Sequence, residues 1–345
     1  MDKVHIVSWL LTRRCNLHCS YCRISRNYKK FPQAYPNLKH YEQDEMKTED
    51  ITEALKKLKQ HNSNAFHIFY GGEPFLRTDL PQIINFCNKE EINYTIITNN
   101  SDEVQGAIDD LFLKTDYVTG LTSSVDPIVV SGENITTDQY KKSVKALERF
   151  TKLRSVIKDL VAEITVDRDS INCLYDLVKM LTDLGVNSDI TVIDTAKSDF
   201  YDFSNVTDKN VLVPKSPQVY EIFYKIIEDK LDVHMADPLL TQIYSILPSE
   251  LNCEIEKDVH NLTIDADGTI RLCLRIRGIF TPDKYNVKNF VQDSGELHPG
   301  LKLSLARDKR FSCRNCNWTC MLMSKIISRI SNVSELIHSS KRQYD

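Results

Sequence analysis

Between residues 4 and 193 the chain alternates six short apolar runs with amphipathic stretches, and few folds accept that order. The runs are VHIVSWLL at 4–11, HIFYGGEP at 67–74, NYTIIT at 93–98, YVTGLTSS at 117–124, VAEITV at 161–166 and SDITVI at 188–193. Their β-branched and aromatic residues suit strands. Between them, apolar residues recur at helical spacing. Ile51, Leu55 and Leu58 share a face behind Thr48, which is placed to cap that helix. Leu80, Ile83, Ile84 and Cys87 form a second stripe. Leu174, Leu177, Leu181 and Leu184 form a third, between a capping Ser170 and a stop at Gly185. Strand–helix alternation implies an α/β fold with a parallel sheet and right-handed crossovers. Six units make either an open sheet or a partial (β/α)6 TIM-like barrel. In a barrel, function gathers at the C-terminal strand ends. A cysteine cluster after the first run, Gly71-Gly72-Glu73, Thr98-Asn99 and Ser124 all fall at such ends, so they are expected to share one mouth.

The alternation stops near residue 195. A polar stretch broken by Pro214 and Pro217 reads as a linker, with helical patterns at 217–231 and 237–247. LTIDADGTIRLC at 262–273 reads as a β-hairpin turning at Asp267-Gly268. Apolar residues from 323 to 337 suit a closing helix. The expected organisation is a barrel over 1–200, linker and helices over 201–250, and a small cysteine-rich β-hairpin/helix domain over 251–345. The net charge of −4 argues against a nucleic-acid binder, which only a basic face near Arg271, Arg275 and Arg277 would revive. No apolar run approaches the ~18 residues of a membrane span. Arg13 and Arg14 follow the first apolar run, the wrong side for a signal peptide, so a cytoplasmic protein is expected.

The ten cysteines fall mostly into a front and a rear cluster. Disulfides are disfavoured in the cytosol, so the clusters read as metal sites. Cys15, Cys19 and Cys22 have the spacing C-x3-C-x2-C. Three thiolates on one loop hold three irons of a [4Fe–4S] cube and leave the fourth iron open to a small molecule. Zinc is the alternative, with His18 as fourth ligand, but His18 abuts Cys19 and is poorly placed for the same ion. The lone Cys87 and Cys173 read as core residues. Trp9 and Trp318 read as core or cluster-shielding residues.

With an aromatic at Tyr21 and Gly71-Gly72-Glu73-Pro74 at the second strand end, the chain resembles the radical S-adenosylmethionine (SAM) enzymes. The resemblance implies that the open iron chelates the methionine moiety of SAM. Gly71, Gly72 and Glu73 would receive its ammonium through backbone carbonyls and the carboxylate, chemistry that glycine and an anion permit. Thr98-Asn99 resembles the family's T-N-G, with Asn100 in place of glycine. Ser124-Val125-Asp126 resembles its S-x-D-G, with Pro127 in place of glycine. Alternation alone adds Glu163 and Thr165, the polar face of the fifth run, as pocket residues.

In the rear cluster, Cys253 and Cys273 flank the expected hairpin, whose antiparallel strands would bring them together. Cys313, Cys316 and Cys320 follow. The arrangement resembles SPASM and twitch extensions, which implies one auxiliary [4Fe–4S] cluster on Cys253, Cys273, Cys313 and Cys316. Cys320 is then an alternative ligand or a free thiol able to donate a hydrogen atom. Four thiolates also suit structural zinc.

The family chemistry implied is reductive cleavage of SAM to a 5′-deoxyadenosyl radical, which abstracts a hydrogen atom from the substrate. A flavodoxin or ferredoxin would supply the electron. SPASM relatives imply a peptide or protein substrate, matured by crosslinking, thioether formation or epimerisation. Only 14 residues precede Cys15, so a separate peptide-recognition protein, or direct reading of the substrate, is expected. The alternatives are a small-molecule dehydrogenase or cyclase and, in another class, a non-enzymatic zinc-binding interaction protein.

Overall fold

The fold comes from a computed structural model of the chain, which describes residues 4, 6–17, 45–115, 117–125, 145, 148–149, 151–157, 159–166, 168, 170–192, 217–233, 261–271 and 286–287. Its strands are β1 (Ile6–Thr12), β2 (Phe66–Gly71), β3 (Asn93–Thr98), β4 (Gly120–Val125), β5 (Asp159–Val166), β6 (Asn187–Val192), β7 (Asn261–Ile264) and β8 (Ile270–Arg271). The helices that concern the site are α1 (Thr48–His61), α2 (Leu80–Lys89), α3 (Gln105–Lys114), α4 (Leu174–Asp183) and α5 (Pro217–Glu228). The strands form one sheet in the order β6-β5-β4-β3-β2-β1-β7-β8. Every pair from β6 through β7 is parallel, and β8 is antiparallel to β7.

This order decides between the two architectures open from the sequence. A doubly wound sheet reverses direction and places helices on both faces. Here β1 to β6 add one after another on the same side, so right-handed crossovers put successive helices on one face. The buried core agrees. Val7, Trp9, Phe69, Tyr94, Ile96, Ala162 and Ile164 from the strands pack with Ile51, Leu55, Ile83, Ile84, Leu174 and Leu177 from the helices. The sheet is open, β6 and β8 lying at opposite ends of its order, and it is a partial TIM-like barrel.

The period-2 pattern places alternate residues of each strand in this core, each large side chain worth about 1.5–3 kcal/mol when fully buried. Trp9 is one of them. Its indole Nε1 donates to His67 Nδ1 at 2.9 Å, which satisfies a polar handle buried between β1 and β2. Cys87 and Cys173 are buried as expected. At the end of α4, Gly185 has φ +66, with Gly185 N donating to Thr182 O and Val186 N to Leu181 O, a Schellman stop where the sequence placed one. Thr48 departs from its expected role. Lys47 is the N-cap of α1, and the Thr48 hydroxyl donates instead to Asp79 Oδ2 at 2.5 Å, tying α1 to the start of α2.

The expected hairpin is present as β7–β8. It turns where Gly268 takes φ +83 and its N–H donates to Asp265 O at 2.8 Å. Its first strand pairs parallel with β1, Ile6 opposite Asn261 through Trp9 opposite Ile264. The hairpin therefore extends the main sheet. The helix expected over 237–247, the closing helix and the 251–260 segment lie outside the described residues.

Candidate active site

β1 ends at Thr12, and Cys15 follows three residues later at the C-terminal edge of the sheet. The chain between them is fastened to the end of β2. Gly72 N donates to Thr12 O and Glu73 N to Arg14 O, both at 2.7 Å. This approach explains the glycine pair. A Cβ on Gly72 would land on the Arg14 carbonyl oxygen, and one on Gly71 on that of Thr12. Gly71 also has φ +149, which L side chains rarely adopt. The sequence suggested that these glycines let backbone approach a ligand. The close approach seen here is to the cysteine-bearing loop itself.

Glu73 is fully buried. Its Oε1 accepts from Phe75 N and from Thr98 Oγ1, both at 3.0 Å, and its Oε2 accepts from Asn99 N at 2.7 Å. Burial raises its pKa, and the three hydrogen-bond donors reduce that rise without cancelling it. The carboxylate thus joins the end of β2 to the end of β3. Pro74 opens the short 3-10 turn Pro74–Leu76 at a position where its missing N–H costs nothing.

Asn99 completes the junction. Its Nδ2 donates to Asn16 Oδ1 at 2.9 Å and lies 3.8 Å from Cys15 Sγ, while its Oδ1 accepts from Ser101 N at 3.0 Å. Asn16 in turn donates to Ser101 Oγ at 2.7 Å. The position where the family's motif has glycine is filled by Asn100 at φ +50, a left-handed conformation that asparagine tolerates better than most residues. Cys15, Gly71, Gly72, Glu73, Pro74, Thr98 and Asn99 therefore meet at adjoining strand ends. Arg77 was not legible as part of this junction. It is buried and donates to Leu11 O at 2.9 Å, Met46 O at 3.0 Å and Asp79 Oδ2 at 2.6 Å, clamping the end of β1 from below. No local motif marks it, because two of its partners lie 31 and 66 residues away.

Further along the sheet, Ser124, Glu163 and Asp189 stand in register on β4, β5 and β6. Thr165 pairs with Thr191 one step closer to the C-terminal edge. Ala162, Ile164 and Val166, the alternate residues of β5, are buried in the core, and Glu163 and Thr165 are half-buried on the opposite face. Burial pushes Glu163 up to about 7, with repulsion from Asp189 adding to it. Burial pushes Asp189 up to about 6. Asp189 belongs to the row although sequence reading did not single it out. The available signal was the alternation of Asn187, Asp189 and Thr191 with Ser188, Ile190 and Val192.

Cys19, Tyr21, Cys22, Asp126, Cys253, Cys273, Cys313, Cys316 and Cys320 lie outside the described residues. Where the structure does describe the front loop, it fits an iron–sulfur ligand. Cys15 is half-buried at the mouth, and its sulfur accepts from Leu17 N at 3.4 Å and faces the Asn99 amide. Such N–H donors stabilise the charge on a ligating thiolate and tune its cluster. The soft donor set of Cys15, Cys19 and Cys22 suits iron.

Comparison with known proteins bears on the family and the fold. The chain is 32% identical over 101 residues to the Fe-coproporphyrin III synthase of Methanosarcina barkeri, covering 29% of this chain but only 22% of that enzyme. It is 21% identical over 320 residues to the GTP 3′,8-cyclase of Clostridium botulinum, covering 86% of this chain and 87% of that one. Among solved structures, it superposes on Streptococcus suis SuiB bound to its precursor peptide SuiA with a TM-score of 0.56, at 14% identity, covering 89% of this chain and 67% of SuiB. That likeness is one of fold. The sequence profile of the Radical SAM superfamily matches residues 9–181, a span that runs from β1 through the Cys15 loop, the Gly71–Glu73 junction and the Ser124–Glu163 pair into α4. Half the chain is thereby accounted for, and the chain belongs to the Radical SAM superfamily.

Proposed function

We propose that this chain is a radical SAM enzyme that modifies a peptide or protein side chain or Cα. The observation that carries the reading is the junction of the Cys15 loop with Gly71–Glu73 and Thr98–Asn99 at one edge of an open sheet. Cys15, Cys19 and Cys22 would hold the [4Fe–4S] cluster. Cluster and SAM together supply a 5′-deoxyadenosyl radical by reductive cleavage. The protein's own residues orient and shield. Arg77 and Glu73 hold the strand ends in register, and the glycine pair seats the cysteine loop. Ser124, Thr165, Glu163 and Asp189 offer hydrogen-bonding groups on the sheet face away from the core.

What supports a peptide substrate is the fold shared with SuiB, whose structure was solved with a precursor peptide. In this reading Cys253, Cys273 and Cys313, with Cys316 or Cys320, hold one auxiliary cluster. A flavodoxin or ferredoxin delivers the electron, and the peptide is either presented by a separate protein or read directly by the chain. The small-molecule alternative draws support from the sequence relatives, whose names state a coproporphyrin and GTP.

The test is 5′-deoxyadenosine formation by anaerobically reconstituted protein with dithionite and SAM. Synthetic peptide pools, iron coproporphyrin and GTP are compared as additions. The proposal expects peptide to stimulate formation above the substrate-free rate, with a mass change in the peptide. Stimulation by GTP or the porphyrin alone would assign the enzyme to the small-molecule class.

A further inference from the structure

Arg13 lies two residues before Cys15 and points at the C-terminal hairpin. Its Nη2 is ion-paired with Asp265 Oδ1, and Asp267 Oδ2 stands 3.7 Å away. The Arg13 and Asp265 side chains are only 11% and 8% exposed. A pair this buried costs desolvation that hydrophobic packing would avoid. What such a pair supplies is position, because a guanidinium fork fixes both distance and angle.

The hairpin end of the pair is rigidly held. Asp265 N donates to Thr269 O, and Gly268 N to Asp265 O, each at 2.8 Å. Met46 N donates to Ala266 O at 2.7 Å, Val287 N to Gly268 O at 2.8 Å, and Asn286 Nδ2 to Asp267 O at 3.0 Å. Met46 O is itself an acceptor for Arg77, so the turn is tied to the clamp under β1. On its other side the cysteine loop rests on Gly72, Glu73 and Asn99. The loop is therefore gripped between the ends of β2 and β3 and a turn 252 residues further along the chain.

We propose that Arg13 is a positioning residue for the Cys15 loop, acting through Asp265 and Asp267, and that retention of the front cluster depends on the C-terminal hairpin. The inference rests on the radical SAM reading of Cys15, Cys19 and Cys22. Its consequence is that the hairpin, whose flanks carry Cys253 and Cys273, forms part of the seat of the first cluster as well as any rear one.

The experiment uses the full chain, reconstituted without oxygen. The dithionite-reduced EPR signal that changes on adding SAM reports the front cluster alone, and its decay under a ferrous chelator gives the cluster's lifetime. Asp265→Asn/Asp267→Asn is expected to shorten that lifetime on the order of 10-fold, the effect of losing a supporting shell around a metal ligand. The charge-swapped pair Arg13→Asp/Asp265→Arg is expected to recover most of it. A lifetime equal to wild type in the double asparagine variant overturns the proposal. If that variant melts early, the swap decides: recovery of melting temperature and lifetime together supports the pairing, and failure to recover overturns it. A wild-type protein with no SAM-responsive signal overturns the underlying functional reading, an outcome distinct from an unchanged lifetime.

Discussion

Glu73 is a buried carboxylate surrounded by donors that carry no charge. Three hydrogen bonds, from Phe75 N, Thr98 Oγ1 and Asn99 N, offset the cost of burying it. Glu73→Gln replaces one acceptor oxygen by an NH2 that opposes a donor. It is expected to lower stability by about 1–3 kcal/mol, read by urea unfolding. Glu163 tests the other carboxylate row by its pH dependence. Its pKa is raised in the folded protein to about 7, so the fold binds a proton there that the unfolded chain releases sooner. Its contribution to stability is complete below the ordinary carboxylate range and is lost as pH rises through about 7. Glu163→Gln is expected to flatten that part of the stability–pH curve; an unchanged slope would remove Glu163 from the account. His67 acts in the opposite sense. Burial lowers it to about 3, so its contribution is present above its ordinary value near 6.5 and is lost as pH falls toward 3. Glu163 could be found from alternation within one strand. Asp189 carried the same signal in β6, but only the register of two strands pairs it with Glu163.

The elements were legible because strand and helix periods differ along one stretch of chain. The alternation over β1 to β6 predicted the parallel sheet, and the strand order then selected the barrel-like arrangement. Contacts between distant segments left no such signal. The Gly71-Gly72 pair announced a close approach, but its partner was Thr12–Arg14 on another strand end, about 58 to 60 residues away. Thr48 had the chemistry of a cap, yet the helix begins one residue earlier than that role requires: Lys47 is the N-cap and Thr48 the first helical residue, its hydroxyl donating to Asp79. The pairing of β7 with β1 followed from no local pattern, because a four-residue strand reads alike in a separate hairpin and at a sheet edge. The glycine seat is testable at this scale. Gly72→Ala forces a Cβ into the Arg14 carbonyl, which neither backbone can yield cheaply. The expected cost is about 1–3 kcal/mol by thermal or urea unfolding, with reduced iron after reconstitution. Normal stability and full iron would show that the loop relaxes around the methyl group.

At the scale of the molecule, the sheet gathers residues from 12 to 267 at one edge, while one face is filled by the core. Among the described residues no helix is long and apolar enough to cross a membrane. Superfamily membership implies a [4Fe–4S] cluster and SAM, and in the reading proposed above the Cys15 junction would hold them. The most direct measurement is 5′-deoxyadenosine formed from SAM by the anaerobically reconstituted, dithionite-reduced chain, compared with Cys15→Ala/Cys19→Ala/Cys22→Ala. The account predicts product from the wild type and none above background from the variant, while the variant keeps any iron held by the rear cysteines. A colourless, zinc-loaded wild type that leaves SAM intact would contradict it.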